Sequence, residues 1–113
     1  MSPEKQRIAI AEACGWKNFN SASHKGAMQY GQPPNAPHNS WELPDYLNDL
    51  NAMHEAEKAL TSEQHIDYME WLGMCSDDYG RKVWAYVHCS ASERARAFLR
   101  TLGLWQESNT QPQ

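Results

Sequence analysis

The chain has 113 residues, a size that fits one domain with one modest core. Apolar residues make up 41% and charged residues 21%, with five Trp, five Tyr and two Phe, a mix that excludes wholesale disorder. Ten bases against fourteen acids give a net charge of −4, which argues against non-specific binding to nucleic acid or to an anionic membrane.

In chain order, the first predicted element is a helix over about Pro3–Cys14, with Ser2 as N-cap, Pro3 in the first turn and Gly15 beyond its end. The opening MSPEKQRIAIAEA is charged and amphipathic and lacks the apolar stretch of a signal peptide. Alternation then predicts short strands at Trp16–Phe19 and Ala27–Tyr30, joined by a turn-rich stretch. Residues 31–44 hold four of the six prolines, and this reads as an irregular loop, because proline denies a ladder its donor.

A second helix is expected over Tyr46–Leu60, capped by Asp45 or Asp49, with Leu50, Met53, Ala56 and Leu60 on one face. Thr61-Ser62-Glu63-Gln64 has the form of a capping box and opens a third helix to about Met74. Its expected buried face is Ile66, Met69 and Leu72, with Glu63, Asp67 and Glu70 toward water. Val83–Cys89, rich in β-branched and aromatic residues, predicts a strand. Ser90-Ala91-Ser92-Glu93 is a second capping box, starting a last helix to Leu102 with Gly103 after it and Ala95, Phe98, Leu99 and Leu102 as its apolar stripe. Residues 106–113 read as a polar tail.

The sum is an α+β fold in a single domain over residues 1–105. A small sheet of about three strands is covered by about four helices in an α/β/α sandwich-like arrangement.

Three segments carry a likeness. They are Ile8-Ala9-Ile10-Ala11-Glu12-Ala13-Cys14-Gly15-Trp16, Asp45-Tyr46-Leu47-Asn48-Asp49-Leu50-Asn51-Ala52-Met53-His54-Glu55-Ala56-Glu57-Lys58, and Arg94-Ala95-Arg96-Ala97-Phe98-Leu99-Arg100-Thr101-Leu102-Gly103-Leu104-Trp105. In that order and spacing the chain resembles the phage ABA sandwich domain family over residues 4–105, residues 31–44 excepted. The resemblance implies a helix–sheet–helix sandwich and a phage or prophage origin, hence the cytoplasm of a bacterial host. It implies no activity and no site residues.

Charge is unevenly laid out. Residues 42–78 hold ten of the fourteen acids and one base, Lys58, a formal −9 against +5 over the rest. Glu55, Glu63, Asp67 and Glu70 are therefore candidates for an acidic face that docks on a basic partner such as a host protein. The alternative is that Arg81, Lys82, Arg94, Arg96 and Arg100 fold back and neutralise it. A mimic of duplex DNA is the extreme form of such a face, and −4 is thin for one.

A different reading makes the chain a small-ligand binder for a nucleotide signal. Arg94, Arg96 or Arg100 would hold phosphate, and Trp41 or Tyr46 would stack on the base. In the structural alternative Trp41 and Tyr46 only tie the loop to the core.

Glu57 falls on the apolar side of its helix and needs a partner there, either an arginine of the last helix or a ligand. With His54 it would be the acid–base pair of a small enzyme, the least supported reading. No catalytic nucleophile motif, phosphate loop or dinucleotide fingerprint is present, so no catalytic residue and no cofactor are expected. His54, His65, His88, Cys75 and Cys89 lack the spacing of a metal site, and three cysteines without a C-x-x-C suggest a reducing compartment. The aromatics also leave room for a homodimer.

Overall fold

The structure of the chain is a computed structural model that describes residues 1–21, 29–36, 39–74 and 88–107. Among the described residues it holds four helices and a three-stranded antiparallel sheet, an α+β fold.

Helix α1 spans Pro3–Ala13, and Ser2 Oγ accepts the backbone N–H of Lys5 at 3.2 Å. This places proline where its missing N–H costs nothing. Strands β1 (Lys17–Ser21) and β2 (Gln29–Gln32) pair antiparallel, Lys17 opposite Gln32 and Ser21 opposite Gln29. The register slips between Lys17 and Asn20, where Asn18 takes a φ of 53°, a conformation asparagine tolerates better than most residues.

A strand lies where the sequence suggests a loop. β3 is Trp41–Glu42, inside the proline-rich stretch, paired with β2 through Tyr30–Glu42 and Gly31–Trp41. Leu43 N–H extends the contact to Gln29 O at 2.9 Å. The loop reading of residues 31–44 is thus corrected at both ends, since Gly31 and Gln32 finish β2. Prolines at 33, 34 and 44 flank these short strands without interrupting them. Of the predicted strand Val83–Cys89, residues 83–87 lie outside the described residues. Its last two depart from a strand: His88 is helical and Cys89 irregular.

Helix α2 is Leu50–Glu57, shorter than expected because Asp45 holds a separate turn, accepting from Asn48 N–H and Asp49 N–H through its carbonyl. Asp49 is the N-cap, its side chain accepting from Asn51 N–H at 2.9 Å. Helix α3 is Ser62–Gly73 and helix α4 is Ala91–Thr101. Both begin with reciprocal capping boxes, Thr61 with Gln64 and Ser90 with Glu93. Gly103, at φ 73°, lets Leu104 N–H reach back to Leu99 O at 2.8 Å and close α4.

Helix α4 is the centre of the packing and touches α1, α2 and α3. Its Phe98 and Leu99 are fully buried together with Ile10 of α1, Met53 of α2 and Leu72 of α3. The sheet joins through Leu43 in the core, through Trp16 and Phe19 against it, and through Gln29, whose side-chain amide donates to Glu4 O. Among the described residues no helix is long and apolar enough to cross a membrane.

Candidate functional site

The buried face of α3 differs from the predicted one. Tyr68 and Leu72 turn inward, while Met69 is exposed and Ile66 is 66% exposed. The whole apolar face is rotated because Tyr68, although it carries a hydroxyl, finds a buried acceptor for it in Glu57. The outer face of α3 is consequently Glu63, Ile66, Asp67 and Glu70, residues spaced i, i+3, i+4 and i+7, all exposed. Three of the four acids singled out from the sequence share this one stripe, with an isoleucine among them, while Glu55 lies on α2. Glu63 and Asp67 make no ion pair among the described residues.

Other acids are neutralised locally. Glu55 pairs with Lys58 at 2.9 Å on α2 and Asp45 with Arg7 at 3.5 Å, while Arg81 and Lys82 lie outside the described residues. Both pairs are well solvated and contribute little to stability.

Glu57 is the node of a polar cluster between α2, α3 and α4. Its Oε2 accepts from the Tyr68 hydroxyl and, at 3.1 Å, from Arg94 Nη1, while His54 Nδ1 lies 3.1 Å from Oε1. Arg94 is 8% exposed, and its Nε also donates to Cys89 O at 3.3 Å. Burial pushes the Glu57 carboxyl up, but the Tyr68 and His54 hydrogen bonds and the Arg94 charge outweigh it and hold it below its usual range. Burial and the same contact raise the Tyr68 hydroxyl. A carboxylate stabilised in this way accepts a proton poorly near neutral pH, which suits a structural clamp better than a general base. The arginine partner expected for Glu57 on the last helix is therefore present.

Of the residues offered for a nucleotide, only Arg96 and Arg100 are brought together. Arg94 is engaged with Glu57. Tyr46 is 3% exposed and set against Cys14, whose thiol burial pushes up to about 11 although the bond to Tyr46 pulls the other way. Both side chains are buried. Trp41, 54% exposed, lines a cavity of about 280 Å3 on the sheet with Trp16, Pro33, Asn35, Ala36 and Glu42.

Arg96 and Arg100 are elsewhere, on one stripe of α4 with Glu93 and Ala97. With Trp71 and Met74 of the α3 end they line a recess of about 150 Å3. The Arg100 guanidinium stacks 5.0 Å from the Trp71 ring centre and 5.6 Å from that of Trp105, and Arg96 lies 5.5 Å from the same Trp105 ring. Trp71 and Trp105 were not singled out from the sequence. The signal for Trp105 is its place just after the Gly103 turn, which folds it back along the arginine stripe.

Among the described residues no three His, Cys, Asp or Glu side chains converge as metal ligands, and Cys75 lies outside them. No protein-family model, curated protein or solved structure matches the chain.

Proposed function

We propose that the chain is a phage or prophage accessory protein that acts without catalysis in the cytoplasm of a bacterial host. It works by covering a basic surface of a host protein, a component of a defence system, with the outer face of α3. The observation that carries this reading is Ile66, 66% exposed between Glu63, Asp67 and Glu70. An apolar side chain ringed by charge is the usual make-up of a docking patch: the apolar anchor supplies affinity once desolvated, and the charges supply steering and partner choice. The phage origin rests on the three-segment resemblance.

The test compares tagged wild type with the Glu63→Lys/Asp67→Lys double variant by native mass spectrometry of complexes recovered from a host lysate. Both sites are exposed, so the variant folds. A host protein recovered with wild type is expected to fall at least tenfold with the double variant, and similarly when salt rises from about 50 to 500 mM, where charge steering is screened. Equal recovery from both proteins, or recovery indifferent to salt, overturns the reading.

A further inference from the structure

The recess between α3 and α4 has an electrostatic arrangement that the α3 docking face does not explain. Arg96 and Arg100 are one helical turn apart, and both guanidiniums gather on a single indole, Trp105, at 5.5 and 5.6 Å. Like charges at this spacing repel, and cation–π contact with a shared ring offsets only part of that. Arg96 makes no ion pair among the described residues. The Glu93 carboxylate lines the same recess, with its Oε1 accepting the Ser90 N–H at 2.7 Å.

The acid that does approach comes from beyond the helix. Glu107 Oε2 accepts from Trp105 Nε1 at 3.0 Å and stands 3.8 Å from Arg100 Nη2, while the Glu107 side chain is 75% exposed. A solvated carboxylate at that distance is a weak and displaceable partner. The site therefore has two always-protonated forks, an open volume of about 150 Å3 beside them with the Glu93 carboxylate in its lining, and the loosely held Glu107 carboxylate near Arg100.

We propose that this recess is a binding site for a phosphate group, gripped by the Arg96 and Arg100 guanidiniums, and that the Glu107 carboxylate is an internal stand-in which the phosphate displaces. A tetrahedral dianion matches two forks better than a monoanionic carboxylate, since it offers oxygens to both at once. The cavity takes the phosphate alone, and whatever carries it lies outside the recess. The phosphate comes either free or on a nucleotide.

The test is isothermal titration of the whole chain with inorganic phosphate, pyrophosphate and adenosine monophosphate, each against sodium chloride of equal ionic strength. Saturable binding is expected, weakened at least tenfold in Arg96→Gln. In Glu107→Gln, which removes the internal competitor, binding should tighten severalfold. Both positions are exposed, so both variants fold. Inorganic phosphate binding as tightly as the nucleotide identifies the free ion as ligand, and a nucleotide preference of tenfold or more identifies the carrier. Heats no larger than those of sodium chloride, or undiminished binding in Arg96→Gln, overturn the proposal.

Discussion

Arg94 Nη1 donates to Glu57 Oε2 at 3.1 Å, a contact between residues 37 apart that ties α4 to α2, and the Tyr68 hydroxyl of α3 donates to the same oxygen. Three helices thus meet on one carboxylate whose side chain is 16% exposed. Removing one member of such a pair strands the other in a poorly solvated place. Arg94→Ala is expected to cost on the order of 3 kcal/mol in denaturant unfolding. Glu57→Leu combined with Arg94→Met should recover at least half of that, because it removes both charges and keeps apolar volume. A double variant no more stable than Arg94→Ala alone contradicts this account.

The same carboxylate sets an acid limb of stability. Its folded-state value lies below the ordinary 4.5, so the native protein binds this proton less readily than the unfolded chain. The stabilisation is complete above about 4.5 and is lost as pH falls through the depressed folded value. Urea titrations at pH 7 and pH 3 are expected to show the gap between wild type and Glu57→Gln shrinking at the lower pH. A gap that widens or stays constant reverses the sign of the argument.

Gly31 is required by its neighbours rather than by its backbone angles. A Cβ there would lie 2.9 Å from Phe19 Cδ1 and 3.2 Å from Trp16 Cε3. Residues directly opposed on antiparallel strands present the same face, so Trp16 and Phe19 cover bare backbone on the face that Trp41 shares. Gly31→Ala is expected to cost about 1–3 kcal/mol by overpacking. It should also shift the Trp16 indole N–H resonance while leaving α4 amides unmoved. An alanine variant of wild-type stability would show that these rings relocate freely.

Ser90 caps α4, the helix on which α1, α2 and α3 pack, by accepting Glu93 N–H at 3.1 Å while Glu93 returns the bond. Ser90→Ala should lower stability by about 1 kcal/mol, and Ser90→Asp should restore most of it. Thermal melts monitored by circular dichroism measure both.

Legibility in the sequence followed the range of the interaction that decides each element. The starts of α3 and α4 are set by side chains three residues from the backbone they cap, so Thr61, Gln64, Ser90 and Glu93 read directly. The β1–β2 hairpin showed in alternation. β3 did not, because a two-residue strand has no period, and Trp41–Glu42 forms only where β2 offers an edge. The site divided the same way. Periodicity put Glu63, Asp67 and Glu70 on one exposed stripe. It could not show that Arg94 and Tyr46 turn inward, because burial of a charge or a hydroxyl depends on partners distant in sequence, Glu57 for one and Cys14 for the other.

The rotation of α3 gives the sharpest discrimination between a face inferred from hydrophobicity and the face observed. Counting apolar residues makes Ile66 and Leu72 equivalent members of a buried stripe. In the structure Leu72 is 2% exposed and adjoins the Cys89 thiol, which donates to its carbonyl, while Ile66 stands in water. Leu72→Ala should therefore cost about 2–5 kcal/mol, the price of lost contacts and a cavity. Ile66→Ser should stay within about 0.5 kcal/mol of wild type, as surface substitutions do. If α3 docks on a partner, Ile66→Ser should nonetheless weaken that complex, separating stability from binding in one substitution. Equal destabilisation by the two variants would return Ile66 to the core and remove the anchor from the proposed docking face.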